Sequence, residues 1–144
     1  MTVEKILKGK GDDVFAVRPD HTIAEAAQLL TNRRIGAAMV CEGGTCVGVL
    51  SERDIVLALA KHKGNALTMS VKSLMSSPVV TCKPRDKVKD IMSVMTERRI
   101  RHVPVIVEDD LVGMVSIGDV IKHRLAEKQL EAAILREFAG VAAQ

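Results

Sequence analysis

Gly48-Val49-Leu50-Ser51-Glu52-Arg53-Asp54 returns 65 residues later as Gly113-Met114-Val115-Ser116-Ile117-Gly118-Asp119. Reading outward from these stretches, the same shift lays one half of the chain on the other without a gap. Pro19 falls on Pro84, Thr31-Asn32-Arg33-Arg34-Ile35 on Thr96-Glu97-Arg98-Arg99-Ile100, Val40 on Val105, and Val47-Gly48 on Val112-Gly113. Apolar character matches between these anchors, as in Ile23 with Val88 and Leu30 with Met95. Two copies are too few for a solenoid, so a pair closing on itself by pseudo-twofold symmetry is expected.

Each copy reads β-α-β-β-α. A β-rich run opens it (Val14 to Val17; Val79 to Cys82), and a proline turn follows. Ile23, Ala26, Ala27 and Leu30, or Val88, Ile91, Met92 and Met95, then recur at helical period. Two apolar runs surround Gly43-Gly44 in the first copy and Glu108-Asp109-Asp110 in the second, as in a hairpin. The last helix starts at Ser51 or Ser116. The fold class is therefore α/β (α+β): tandem β-α-β-β-α repeats plus a long C-terminal helix. Repeat 1 spans 12–62, a polar linker 63–75, repeat 2 76–124, and the helical extension 125–144, both repeats forming one module. Ile121, Leu125, Leu130, Ile134 and Phe138 predict that the last helix is amphipathic and packs on its own domain or a second chain.

Composition narrows the function. Of 144 residues, 47% are hydrophobic and 27% charged, a globular balance. Trp and Tyr are absent and Phe occurs twice, so the core is aliphatic and base stacking on aromatics is disfavoured. The net charge of +3 comes without a Lys/Arg block, so it suits a phosphate ligand and does not mark a nucleic-acid surface. Three cysteines fit a reducing, cytoplasmic setting, and neither a secretory leader nor a membrane-spanning stretch is expected.

The duplicated Ser-x-x-Asp has two readings. Ser at the N-cap with an acidic residue at N3 is close to a capping box. The same free N–H groups favour anions, the hydroxyl can donate to a phosphate or ribose oxygen, and an ionised Asp accepts from both ribose hydroxyls. Cap and ligand site are compatible.

The tandem β-α-β-β-α unit closing on Gly-apolar-apolar-Ser-x-x-Asp resembles a pair of cystathionine-β-synthase (CBS) domains, a stand-alone Bateman module. Arg99-Ile100-Arg101-His102-Val103-Pro104-Val105, followed by Leu111-Val112-Gly113 and Ser116 to Asp119, reads like a second repeat of that family. The resemblance implies a regulatory adenine-nucleotide ligand (AMP, ADP, ATP or NAD) between the repeats, with no catalytic cofactor. It implies that Ser116 and Asp119 work with Ile35, Gly36 and Ala37, and Ser51 and Asp54 with Ile100, Arg101 and His102. Val17 and Thr81 would edge the base. Arg101 takes a place where the family often carries a phosphate-facing base, and Arg53 is a second candidate; simple solvation is the plain alternative for Arg101 and His102. The copies differ here: Gly36-Ala37 stands against Arg101-His102, and Arg53 against Gly118. The two clefts are not expected to be equivalent.

Cys41 and Cys46 flank the Gly-Gly turn. A cross-strand disulfide or redox switch is one reading; two small strand residues is the favoured one, since no CxxC and no basic neighbour activates a thiol. No histidine has a partner at metal-ligand spacing, and no nucleophile elbow or Walker loop is present. The expected function is a non-enzymatic adenine-nucleotide sensor, homodimeric, with an effector protein as its output. A ligand-free scaffold or dimerisation module and a weakly basic nucleic-acid binder are the alternatives.

Overall fold

The computed structural model describes residues 1–10, 14–77 and 80–142. The elements run α1 (Val3–Lys10), β1 (Ala16–Val17), α2 (Ile23–Arg33), β2 (Ala37–Glu42), β3 (Thr45–Ser51) and α3 (Glu52–His62). After a 3-10 helix (Lys63–Thr68) come α4 (Val71–Leu74), α5 (Val88–Arg98), β4 (His102–Val107), β5 (Asp110–Ser116) and α6 (Ile117–Ala142). This is the mixed α/β fold of tandem repeats with a long final helix.

The hairpins match residue for residue. Ala37 pairs with Ser51 and Val40 with Gly48, as His102 pairs with Ser116 and Val105 with Gly113, and each ladder slips register once beyond that point. Both turns place two residues at positive φ, Gly43 and Gly44 in one, Glu108 and Asp109 in the other. That is the two-residue turn whose twist suits adjoining strands. Helices α2 and α5 bury Ile23, Ala26 and Leu30, and Val88, Ile91 and Met95. Both end on an arginine (Arg34, Arg99) in the left-handed region, where glycine is usual.

The opening strands are shorter than the composition suggests. Only Ala16 and Val17 form β1, parallel to β2, while among the described residues the second copy keeps a single parallel bridge, Cys82 to Val105. Val79 lies outside the described residues. The stretch read as a polar linker is instead built of helical turns, with Ala66 and Val71 fully buried.

Two helices exchange cores. Val3 and Ile6 of α1 join Val88, Val103, Val115 and Val120 in the core of the second repeat. Val71 of α4, with Leu74 and Met75 packed beside it, joins Ile23, Val40 and Leu50 in the first. Each repeat is thus closed by the helix that precedes the other. Glycines make room for these helices: a Cβ at Gly48 would meet Met75 Sδ at 2.5 Å and the Ser76 carbonyl oxygen at 3.1 Å, and one at Gly113 would meet Leu7 Cδ2 at 2.7 Å.

Helix α6 corrects the expectation of a single apolar stripe. At about 100° per residue, Leu130 lies roughly 140° around the axis from Leu125. Ile121 and Leu125 therefore share one side, and Leu130, Ile134 and Phe138 another; all five are exposed. No helix among the described residues is long and apolar enough to cross a membrane.

Candidate functional site

Strands β3 and β5 meet where the repeats face each other, and each ends in the serine that starts a helix. At the first, Ser51 N–H and Ser51 Oγ donate to Asp54 Oδ2 at 2.9 and 3.0 Å, and Asp54 N–H donates to Ser51 Oγ at 3.2 Å. At the second, Ser116 N–H donates to Asp119 Oδ2 at 2.9 Å and Asp119 N–H to Ser116 Oγ at 3.1 Å. The capping box is thus present twice, with the first carboxylate beside the positive helix end. At Asp54 the cap uses Oδ2, so Oδ1 is spared from it.

The caps also set the chain in front of the hairpins. Glu52 N–H donates to the Gly36 carbonyl at 2.9 Å and Ile117 N–H to the Arg101 carbonyl at 2.8 Å. These bonds hold 35–37 and 100–102 across the cleft. A cavity of about 600 Å³ lies there, within the range of small-molecule sites. From the first repeat it is lined by Gly36, Val49 and Ser51 through Asp54. From the second come Arg99 through His102 and Ser116 through Gly118, with Ser76 and Val80 at the edge. Three guanidinium groups (Arg53, Arg99, Arg101) share this lining with the carboxylates of Glu52 and Asp54, so the cavity favours an anionic ligand that also carries hydroxyls.

Of the expected residues, the cavity brings together Ser51, Arg53, Asp54, Gly36, Ile100, Arg101, His102 and Ser116. Its lining does not include Ile35, Ala37, Val17, Thr81 or Asp119. Ala37 and Val17 are buried, Ile35 packs on the first core, and Thr81 is exposed. Asp119 caps α6. Seven lining residues were not among the expected ones: Val49, Glu52, Ile117 and Gly118 lie within the closing motifs, and Ser76, Val80 and Arg99 outside them. Glu52 and Arg99 adjoin residues that were singled out. Val80 stands one residue before Thr81. Ser76 had no local signal, since it reaches the cavity through an antiparallel bridge to Val49.

A Cβ at Gly36 would sit in ordinary van der Waals contact, 3.9 Å from both the Glu52 carboxyl and His102 Cε1. Its counterpart in the second repeat is Arg101, so a side chain fills one wall and is missing from the other. Outside the cavity, Phe15 lies under the Arg33 guanidinium, 4.6 Å from ring centroid to carbon. Among the described residues, no group of three or more His, Cys, Asp or Glu is placed to hold a metal ion.

The CBS-domain family model matches residues 10–61 and 71–126. The CBS domain-containing protein YhcV of Bacillus subtilis is 31% identical over 121 residues, covering 84% of this chain and 86% of that protein. The crystal structure of the CBS-domain protein ATU1752 from Agrobacterium tumefaciens superposes with a TM-score of 0.83 at 41% identity, over 86% of this chain and 99% of its own. The CBS domain pair of MJ0100, solved with 5′-methylthioadenosine and S-adenosyl-L-methionine, has the same fold (TM-score 0.79, 24% identity, 88% of this chain and 98% of that one).

Proposed function

The chain belongs to the CBS-domain family, and on that premise we propose that it is a non-catalytic sensor of adenine nucleotides, held in the cleft between its two repeats. The observation that carries this reading is the composition of one cavity: a capped Ser51–Asp54 pair on one wall and Ile100, Arg101 and His102 on the other. Asp54, through the oxygen its cap spares, takes the ribose hydroxyls, and Ser51 lies beside the ribose or first phosphate. Arg101 and Arg53 take the phosphates, where bidentate charge-assisted bonds outweigh neutral ones. Val80 and Ile100 supply apolar edges for the base. Ser116, Gly118 and Gly36 complete the wall; Ala37 and Val17 are buried and Ile35 packs on the first core, while Asp119 and Thr81 lie outside the lining. That MJ0100 accepts adenosine derivatives on this fold agrees with the choice.

The output is conformational. A ligand touching both repeats favours the arrangement in which both walls reach it, and only that difference in affinity shifts the population. A second copy and an effector protein read the shift. Val56 and Leu57 on α3 and Ile121 and Leu125 on α6 are exposed apolar residues that pairing with a second copy would cover.

Because Trp and Tyr are absent, adenine absorbance stands out against the protein. AMP, ADP, ATP and NAD are titrated into nuclease-treated protein, with melting temperature as the readout, and the small molecules released on denaturation are identified by mass. At least one adenine nucleotide raises the melting temperature, and Arg101→Ala weakens its binding roughly tenfold or more, the loss of one charge-assisted contact. A protein that carries no nucleotide, and that millimolar nucleotide does not stabilise, overturns the proposal.

A further inference from the structure

The tip of the first hairpin carries two thiols that the nucleotide site does not use. Cys41 and Cys46 are direct cross-strand partners, and both are free and half-buried. Glu42 pairs with Thr45 around the Gly43-Gly44 turn. In such a hairpin the pair closing the turn is hydrogen-bonded, so the next pair, Cys41 with Cys46, is not. Its Cα atoms therefore lie closer, about 4.5 Å apart, with the side chains on one face of the sheet. That separation falls inside the range a disulfide spans. Cys46 Sγ also lies 3.9 Å from Met39 Sδ, so this face gathers sulfur.

The second repeat supplies an internal control. There the same pair, at the same register slip, is Ile106 with Leu111. The hairpin therefore closes on aliphatic side chains, and its geometry does not call for sulfur. In the first repeat both members of the pair, and not just one, are cysteine. The third cysteine is placed differently: Cys82 is buried in the core of the second repeat, with no cysteine beside it in that core.

We propose that Cys41 and Cys46 are a site of reversible oxidation, closing an intramolecular disulfide across the β2–β3 hairpin by exchange with a small-molecule disulfide such as oxidised glutathione. One cysteine, as thiolate, attacks a sulfur of the small disulfide and expels one thiolate, leaving a mixed disulfide on the protein. The other cysteine, as thiolate, attacks the protein sulfur of that bond and expels the second. The two protons from the cysteines pass to the two released thiolates, so one small disulfide is reduced to two thiols as one forms in the protein. The closed bond ties the tip of the hairpin whose other end carries Ala37 and Ser51.

Burial pushes Cys41 up to about 11, with Cys46 nearby adding to the rise, and burial pushes Cys46 up as well. Exchange through Cys41 therefore accelerates about tenfold per pH unit below its value, as the thiolate fraction grows. Burial together with the Asp86 charge raises Cys82 to about 12, and its place in the second core, 2% exposed, shields it from a dissolved disulfide.

The folded full chain is incubated with oxidised glutathione at mildly alkaline pH and followed by intact mass and peptide mapping. The expected result is loss of the mass of two hydrogen atoms, a Cys41–Cys46 linked peptide, an unmodified Cys82, and full reversal by a thiol reductant. The double variant Cys41→Ile/Cys46→Leu installs the second repeat's own pair. It melts cooperatively and loses the mass change. Persistent glutathione adducts, chain-to-chain disulfides, or no mass change in folded protein while the unfolded chain reacts would each overturn the proposal.

Discussion

The two helix caps on the cleft share two bonds, serine N–H to aspartate Oδ2 at 2.9 Å in both and aspartate N–H to serine Oγ at 3.2 and 3.1 Å. The residues around them have diverged: Gly36 against Arg101, Ala37 against His102, Arg53 against Gly118, Cys41 and Cys46 against Ile106 and Leu111. The difference teaches that the duplicated backbone needs its caps and glycines twice, whereas a ligand needs its contacts once. Residues doing structural work stay paired across the pseudo-twofold axis, and residues free of that work specialise.

The exchanged helices give the strongest way to break this comparison. Ile6 is buried in the second core, while its counterpart Leu74 is only half-buried on the first. Ile6→Ala costs about 2–5 kcal/mol, as for other large-to-small core changes, and Leu74→Ala costs less. Denaturant midpoints at an unchanged slope check both. Equal losses would show that α1 and α4 close their hosts alike, despite eight residues against four.

The glycines beneath those helices sharpen it further. An added methyl at Gly48 runs into Met75 and the backbone oxygen of Ser76, which is fixed by the bridge to Val49. At Gly113 it meets only the flexible tip of Leu7. Gly48→Ala therefore costs about 1–3 kcal/mol through overpacking, more than Gly113→Ala. Thermal melts of the two variants give the order, and the reverse order would contradict the packing described.

The caps supply the smallest effect and the cleanest contrast. Ser51→Ala and Ser116→Ala each lose about 0.5–2 kcal/mol of stability, nearly equally. Nucleotide affinity separates them, falling further for Ser51→Ala, whose wall carries Arg53 and faces Arg101. Parallel melts and titrations measure both quantities on the same samples. Equal affinity losses would mean that the cleft is functionally symmetric after all.

Much of this was legible from the residues alone. Helical period in α2 and α5, glycine at the first hairpin turn and serine at each cap act over two to four residues, and the gapless repeat then fixes their order. Half of the cavity lining, including Ser51, Asp54, Arg101 and His102, follows from that order together with the family resemblance. The helix Val3–Lys10 was not legible, because eight mixed residues carry little periodic signal and take their place from the core they enter. Ser76 was hidden for the same reason, its position being set by a bridge to a strand 27 residues earlier.

Sequence by itself determined the duplication, the β-α-β-β-α grammar and the capping chemistry, since each rests on local sterics and hydrogen bonding that recur wherever the residues recur. Tertiary structure alone decided which helix closes which core, that Arg99 joins Arg53 and Arg101 in one cavity lining, and that the apolar residues of α6 point two ways. Those outcomes depend on long-range burial and on which surfaces remain uncovered, and neither is written in any one stretch of the chain.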